Sequence, residues 1–239
     1  MTLLAPTYRN DYIGENINGY NTEGEPYSIF VPPRPNVFIQ PSTNTAIVLG
    51  NGRSKNIDQV KYLLEINSKK SAEGYKLVYA CNKAINDDMA YDYYVLRHRV
   101  FMSNISQDKL TQVYLPADIF LDYKDQTNLI PYVNHGFDAG AMASFIACFD
   151  GHKKIMLVGF DGDLGNGYKT AYDSEFPYSE PDLAEWSKWQ DYLYHIMKIY
   201  KDVEFFRLAY ECQAAPAKWL TLPNFKDCTM RDFVLAGDF

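Results

Sequence analysis

The sequence has little cysteine, and its cysteines are far apart. The four residues are Cys81, Cys148, Cys212 and Cys228. This spacing excludes the CxxC pairs of zinc sites and provides no dense disulfide framework. We therefore expect free thiols in apolar surroundings.

Long apolar runs and an excess of basic residues are also missing. No stretch approaches the roughly 18 apolar residues that span a bilayer, and the opening MTLLAPTYRNDYIGEN lacks the basic segment and apolar core of a signal peptide. The formal net charge is −7, so the chain lacks a broad basic surface for nucleic acid or anionic lipid. These absences predict a cytoplasmic protein that has no membrane span and binds no nucleic acid.

The chain does have enough apolar material for a full core. It is 239 residues long and 47% hydrophobic, and we interpret it as one domain preceded by an arm. Residues 1–43 are rich in proline and tyrosine, and stretches such as NINGYNTEGEPY show neither the strand nor the helix period. Because a disordered tail would hold fewer aromatic residues, we expect this extended arm to pack on the body, residues 44–239, with short edge strands at 27–31 and 37–40.

From residue 44 onward, strand patterns and helix patterns alternate. This order predicts an α/β three-layer sandwich with a mainly parallel sheet. The helix that starts near Ile57 has Asn56 as its expected N-cap. The predicted strands or short extended elements are 45–49, 75–81, 91–96, 112–115, 154–159 and 203–208, and the predicted helices are 57–66, 139–149 and 183–200.

Polar or glycine-rich segments follow several of the predicted strands. In a parallel sheet, ligands bind outside the carboxyl ends of the strands, where neighbouring crossovers diverge. Four such segments at the carboxyl edge of the sheet are more typical of a binding site than of independent turns. The GNG sequence at 50–52, however, is also common in simple turns. The segments are 50–54, 82–88 and 160–168 after strands, and 134–140 before the small-residue helix.

Several motifs together carry a family resemblance. The chain contains IVLGNGRS at 47–54, YACN at 79–82 and DAGAMASFIACFDGHKKIMLVGFDG at 138–162. This combination resembles the bacterial sialyltransferases that have a single Rossmann-like nucleotide-binding domain. It is also similar to a broader superfamily that includes flagellin-modification accessory proteins and archaeal hydroxymethylpterin pyrophosphokinases.

The resemblance implies a cytidine nucleotide held by these loops. Asn51 and Asn82 would contact its phosphate or ribose, and Ala139 and Gly140 would line the base or ribose pocket. From the residues alone, Asn51 could instead be a turn residue, and Asn82 a cap at a strand end. The other nucleotide-binding candidates are Gly50, Gly52, Ser54, Gly159 and Asp161.

The chain departs from the family pattern at positions that matter for catalysis. The family commonly has proline where this chain has Arg53, and Thr-Ser-Gly where it has Asp138-Ala139-Gly140. In the family, tyrosines stabilise the departing phosphate. In this chain only Tyr168 or Tyr172 could have that role. The family's general-base histidine would fall within residues 170–190, which contain no histidine. We therefore predict His135 as the acid–base residue, with a carboxylate such as Asp161, Asp163 or Asp173 as the alternative.

The Asp161-Gly162-Asp163 segment permits metal binding. Two carboxylates two residues apart in a loop can chelate Mg²⁺ or Mn²⁺ that bridges a nucleotide diphosphate. The alternative is a solvated acidic turn in which Asp161 caps the strand end. Metal at Asp161 and Asp163 is thus an expectation only if this loop is used, and the protein otherwise requires no cofactor.

Three functions from different classes follow. We favour a sialyltransferase-like glycosyltransferase that moves a sugar from a nucleotide sugar, preferably a CMP-sugar, to a hydroxyl of a glycan or small-molecule acceptor. The alternatives are a Mg²⁺-dependent pyrophosphokinase-like enzyme of the same superfamily and a non-catalytic nucleotide-binding protein. Neither the donor sugar, nor the acceptor, nor the oligomeric state has a recognisable mark in the sequence.

Overall fold

The computed structural model describes residues 6–21, 23–33, 44–52, 55–71, 74–86, 89, 91–132, 138–161, 183–208 and 214–237. The strands are β1 (Glu15–Tyr20), β2 (Pro26–Val31), β3 (Thr45–Leu49), β4 (Leu77–Cys81), β5 (Tyr93–Val95), β6 (Val113–Leu115), β7 (Asn128–Leu129), β8 (Lys154–Val158), β9 (Glu204–Leu208) and β10 (Phe225–Cys228). The helices are α1 (Ile57–Ser68), α2 (Ala117–Phe120), α3 (Ala139–Phe149), α4 (Leu183–Ile199) and α5 (Met230–Gly237).

Strands β3 to β10 form one sheet of eight strands. Their order is β10-β9-β8-β3-β4-β5-β6-β7, and every neighbouring pair is parallel. Parallel strands are buried on both faces, which explains the continuous apolar runs in the sequence. The predicted Rossmann-like α/β architecture is confirmed.

Alternate side chains of each strand enter two different cores. On β3, Ala46 and Val48 pack with α3 and α4, whereas Ile47 and Leu49 pack with α1 and α5 on the opposite face. Because successive side chains of a strand point to opposite faces of the sheet, each strand packs against two helical layers. The result is the three-layer sandwich that the sequence predicts.

The two best-predicted helices begin at side-chain caps. The carboxamide oxygen of Asn56 accepts hydrogen bonds from the N–H groups of Asp58 and Gln59 at 3.0 and 3.2 Å, which confirms the expected N-cap of α1. Helix α3 spans the predicted residues and is buried along almost its whole length. Its small side chains allow this close packing on the sheet.

The hairpin formed by β1 and β2 was only half predicted. The sequence indicates extended structure at 27–31 but no period at 15–20, yet the two strands pair antiparallel from Glu15–Val31 to Tyr20–Pro26. The turn provides the missing signal, because the side-chain oxygen of Asn21 accepts hydrogen bonds from the N–H groups of Glu23 and Glu25. The predicted strand at 37–40 lies outside the described residues.

A buried polar network joins the N-terminal segment to the body. The Arg9 guanidinium donates hydrogen bonds to Asp150, at 2.6 Å from Nε to Oδ1, and to the Tyr114 hydroxyl. The Tyr79 hydroxyl donates to the other Asp150 oxygen at 2.7 Å. Burial raises the pKa of the Asp150 carboxyl, and Arg9 offsets part of that rise. Arg9 thus makes an ionised Asp150 tolerable inside the protein.

The same segment covers the short edge strand β7. Arg9 and Tyr12 line a small cavity together with Pro32, Asn128 and Leu129, and the Glu15 carboxylate accepts a hydrogen bond from the N–H of Tyr132 at 3.0 Å. A covered edge is protected from pairing with other chains.

Within the residues that the structure describes, none of the helices has both the length and the apolar character needed to cross a membrane.

Replacing Arg9 should destabilise the protein in a pH-dependent way. The Arg9→Met variant leaves Asp150 buried without its cation, so we expect a loss of about 3 kcal/mol in the free energy of unfolding near neutral pH. The folded-state pKa of Asp150 would then lie further above its unfolded value. The folded state binds the extra proton in that interval, so stability falls as pH rises through it. Urea unfolding at pH 5 and pH 7.5 should show the larger loss at pH 7.5.

The double variant Arg9→Met/Asp150→Asn is the matched control. It removes both charges, so most of the lost stability and all of the pH dependence specific to the variant should disappear. A loss for Arg9→Met that is equal at both pH values would contradict the electrostatic explanation.

Candidate functional site

The strand order reverses between β3 and β8. Along the chain, β3 to β7 are added on one side of the sheet, and β8 to β10 are added on the other side, starting next to β3. The connections that leave β3 and β8 therefore diverge, and a crevice opens outside their carboxyl ends. The residues at this crevice are those that follow Leu49 and Val158.

Glycines allow the two chains to touch at the crevice. The N–H groups of Gly50 and Gly52 donate hydrogen bonds to the carbonyls of Val158 and Gly159, at 2.8 and 2.9 Å. A Cβ atom on Gly50 or Gly52 would lie only 2.5 or 2.6 Å from the Gly159 carbonyl oxygen. Gly159 itself has a φ of +75°, a conformation that other residues rarely adopt. The GNG sequence is thus required by close approach of main chain to main chain.

The side chain of Phe160 brings the start of α3 to the same place. Its ring lies 3.2 Å from the position of a Cβ on Gly50 and 3.0 Å from that of a Cβ on Gly140, and it is 3% exposed. The described parts of three segments selected in the sequence therefore meet around one aromatic ring, through Gly50, Gly140 and Phe160 itself. This convergence makes the crevice the candidate functional site.

An ion pair with a buried arginine holds Phe160, just after β8. Arg207 on β9 makes a bidentate contact with Asp227 on β10, at 2.7 and 2.8 Å, and its third nitrogen donates a hydrogen bond to the Phe160 carbonyl at 3.0 Å. A bidentate pair fixes the guanidinium plane, so the remaining donor has a defined direction. Arg207 thereby positions Phe160, although it lies two strands from the GNG loop.

The carboxyl group of Asp138 marks the start of α3. Its Oδ1 accepts hydrogen bonds from the N–H groups of Gly140 and Ala141 at 2.7 and 3.1 Å, while its Oδ2 is buried and has no hydrogen-bond partner. Burial raises the pKa of Asp138, and the backbone hydrogen bonds offset part of that rise.

The nearby Cys81 thiol donates a hydrogen bond to the Leu49 carbonyl at 2.8 Å, and burial and Asp138 raise the pKa of this thiol. Cys81 is therefore an inert structural thiol.

The two candidate asparagines differ in their partners. Asn82 has a φ of +42°, and its side-chain oxygen accepts a hydrogen bond from the N–H of Arg97 at 2.9 Å, just beyond the end of β5. Its side-chain oxygen therefore caps the neighbouring strand end, as the alternative considered from sequence has it, and the contact of Asn82 with a nucleotide stays a prediction. The side-chain oxygen of Asn51, in contrast, is buried without a hydrogen-bond partner. Asn51 is thus the asparagine that has a vacant acceptor for a ligand.

The structure describes most, but not all, of the predicted site residues. Gly50, Asn51, Gly52, Gly140 and Gly159 meet at the crevice, and the Asp161 carboxylate carbon lies 2.7 Å from the position of a Cβ on Gly52. Ala139 is the buried first residue of α3, and Asn82 follows β4. Outside the described residues lie Arg53, Ser54, His135, Asp163, Tyr168, Tyr172 and Asp173.

Two contributions to the site were not recognised from the sequence. Asp138 was noted only as a departure from a family motif, and Arg207 was counted as one residue of a late strand. The arginine did have a signal, because a charged residue within the apolar run VEFFRL is buried only when it is paired. The unpaired oxygen of Asp138 had no such signal in the sequence.

Metal binding remains a proposal. The described ranges contain no group of three or more His, Cys, Asp or Glu side chains that could hold an ion. Of the predicted pair, Asp161 is described and Asp163 is not.

No protein-family model matches the chain, and no curated protein matches it either. Its structural neighbours are sialyltransferases, the group that the sequence motifs resemble. They include the monofunctional alpha-2,3-sialyltransferase Cst-I from Campylobacter jejuni, with 16% sequence identity, a TM-score of 0.49 and coverage of 74% of this chain and 80% of that chain. They also include the sialyltransferase CstII from Campylobacter jejuni in complex with the substrate analogue cytidine-5′-monophosphate, with 18% identity, a TM-score of 0.43 and coverage of 68% and 79%.

Substituting Gly159 should show how much the crevice depends on close backbone approach. The φ of +75° would be strained with any side chain, and an added Cβ would lie 3.0 Å from Lys55 Cβ and 3.1 Å from the Gly50 carbonyl oxygen. We expect Gly159→Ala to lower the free energy of unfolding by about 2 kcal/mol or more, from strain and crowding together. Chemical denaturation measures the change.

Gly151→Ala is the matched control, because Gly151 has a φ of +95° and nothing within 4 Å of an added Cβ. It should lose only the strain contribution, about 1 kcal/mol. Equal losses for the two variants would mean that packing at the β3–β8 crevice is not tight.

Proposed function

We propose that this protein is a sialyltransferase-like glycosyltransferase, which transfers a sugar from a nucleotide sugar to an acceptor hydroxyl. A CMP-sugar is the favoured donor, because the motifs at 47–54, 79–82 and 138–162 resemble enzymes that hold a cytidine nucleotide. The acceptor is a glycan or a small molecule.

The observation that carries this proposal is the pair of buried oxygen atoms without partners at the β3–β8 crevice. The side-chain oxygens Asn51 Oδ1 and Asp138 Oδ2 are both buried, and neither accepts a hydrogen bond from the residues that the structure describes. Leaving such an acceptor unpaired costs about 1–3 kcal/mol, and natural proteins leave few of them. A nucleotide has hydroxyl and amino donors that could satisfy both atoms, so the crevice is suited to a polar ligand of this kind.

The chemistry of transfer assigns a role to each part of the site. The acceptor oxygen forms a bond to the anomeric carbon while the bond from that carbon to the phosphate oxygen breaks, and the electron pair leaves with the nucleotide. The proton of the acceptor passes to a base, for which we propose His135 or a carboxylate such as Asp161. Tyr168 would donate a hydrogen bond to the departing phosphate.

Nucleotide binding tests the proposal directly. Thermal unfolding should be followed with CMP, CDP, UDP and ATP, each with and without Mn²⁺. CMP without metal should stabilise the protein, by about 2.7 kcal/mol at 100 times its dissociation constant. Stabilisation by ATP only in the presence of Mn²⁺ would favour the pyrophosphokinase-like alternative with metal at Asp161 and Asp163. CMP binding without transfer to any acceptor tested would favour a non-catalytic nucleotide-binding protein.

Removing the Asn51 side chain should separate ligand binding from stability. Because its oxygen has no hydrogen-bond partner among the described residues, Asn51→Ala should leave the melting temperature of the free protein unchanged or higher. Its affinity for CMP should fall at least about tenfold, which corresponds to 1.4 kcal/mol. Isothermal titration calorimetry gives the affinity, and unfolding without ligand gives the stability.

Asn82→Ala is the control on the neighbouring strand end. It deletes the acceptor for the Arg97 N–H and should cost about 1 kcal/mol of stability. If Asn51→Ala leaves the CMP affinity unchanged, GNG is only a turn and its asparagine does not bind the nucleotide.

Replacing His135 tests the proposed base. If His135 accepts the acceptor's proton, His135→Ala should lower turnover about 10²-fold or more while CMP binding survives. His195→Ala, at an exposed position on α4, is the control and should retain wild-type turnover. Equal turnover in His135→Ala and the wild type would remove His135 from the mechanism and leave a carboxylate as the base.

A further inference from the structure

The two oxygens of Asp138 have different roles. Oδ1 caps α3 by accepting hydrogen bonds from the N–H groups of Gly140 and Ala141. Oδ2 is buried and accepts none. Since the cap needs only one oxygen, an asparagine or serine would serve α3 as well as an aspartate does. The second oxygen is therefore not explained by the helix.

The surroundings of this oxygen are poorly suited to a lone carboxylate. The Cys81 thiol is close enough for Asp138 to raise its pKa, an effect that Lys55 opposes. The buried ring of Phe160 packs next to Gly140, whose N–H donates a hydrogen bond to Asp138. Burial raises the pKa of the Asp138 carboxyl itself. A hydrogen-bond donor that enters the crevice would relieve this cost.

The sign of Asp138 also restricts which part of a nucleotide can lie beside it. A phosphate has only acceptors and negative charge, so it would be repelled by the carboxylate and would leave Oδ2 unsatisfied. The nucleoside part has donors, namely the ribose hydroxyls and, in cytosine, the exocyclic amine. The phosphate is thus expected away from Asp138, and the nucleoside against it.

We propose that Oδ2 of Asp138 accepts a hydrogen bond from a donor of the nucleoside, either the cytosine amine or a ribose hydroxyl, and so sets the nucleotide specificity of the crevice. This inference rests on the proposed function, because it requires that a nucleotide binds there. It concerns a residue at which the chain departs from the family that its motifs resemble.

Calorimetry with four ligands tests the inference and identifies the donor. The ligands are CMP, UMP, 2′-deoxy-CMP and 3′-deoxy-CMP. If the cytosine amine is the donor, the wild type should bind CMP at least about tenfold more tightly than UMP, which has a carbonyl in place of the amine. If a ribose hydroxyl is the donor, the corresponding deoxynucleotide should bind at least about tenfold more weakly instead.

The Asp138→Asn variant reverses the polarity at one atom. Its remaining oxygen can still cap α3, while an NH₂ group replaces the unpaired acceptor oxygen. CMP affinity should fall at least about tenfold, and the preference found in the wild type should vanish or reverse. Asp138→Ser, which also caps helices but has no second polar atom, should lose the preference as well. Together the two variants keep the test valid if one of them folds poorly, which thermal unfolding would reveal.

The outcomes distinguish this inference from the proposed function. A wild type that binds CMP, with the same affinities for all four ligands in the wild type and in both folded variants, would overturn the role of Asp138 and leave the proposed function standing. A wild type that binds none of the four ligands would overturn both.

Discussion

The candidate site depends on the direct contact between the main chains that leave β3 and β8. The two hydrogen bonds from Gly50 and Gly52 to the carbonyls of Val158 and Gly159 continue the strand pairing beyond the last strand residues. That continuation is possible only without side chains, since a Cβ on either donor residue would overlap the Gly159 carbonyl. Because the strand order reverses at this point, a close backbone contact borders the place where the connections diverge.

Two arginine–aspartate pairs in the described part of the protein differ from Asp138 in how their charges are satisfied. The two pairs are Arg9 with Asp150 and Arg207 with Asp227, and their hydrogen bonds are largely made within the protein. The first pair fixes the N-terminal segment, and the second fixes the start of the loop after β8. Among the described residues, one oxygen of Asp138 is left without a hydrogen-bond partner. Paired charges hold elements in place, whereas an unpaired acceptor in a crevice is suited to accept a hydrogen bond from a ligand.

The sequence predicts the sheet better than it predicts the site. Buried parallel strands such as Thr45–Leu49 have continuous apolar runs, and α3 has a cap and small residues, so local pattern was sufficient for them. The strands Glu15–Tyr20, Asn128–Leu129 and Phe225–Cys228 were missed, because they are short or polar and owe their structure to a partner strand. The glycines at 50 and 52 were recognised, but whether an asparagine caps a strand or has a vacant acceptor depends on three-dimensional neighbours. Asn82 and Asn51 differ in that respect.

The vacant acceptors also connect stability with function. Each buried oxygen without a partner, on Asn51 and on Asp138, costs the folded protein about 1–3 kcal/mol, against a typical total stability of about 5–15 kcal/mol. Shape-conserving apolar residues would remove that cost, and most natural buried polar groups are satisfied. Such local destabilisation is tolerated at sites where a ligand completes the hydrogen bonding. The free energy that the ligand recovers on binding is then part of its affinity, so the same two atoms that weaken the empty protein would select for a nucleotide whose donors face them.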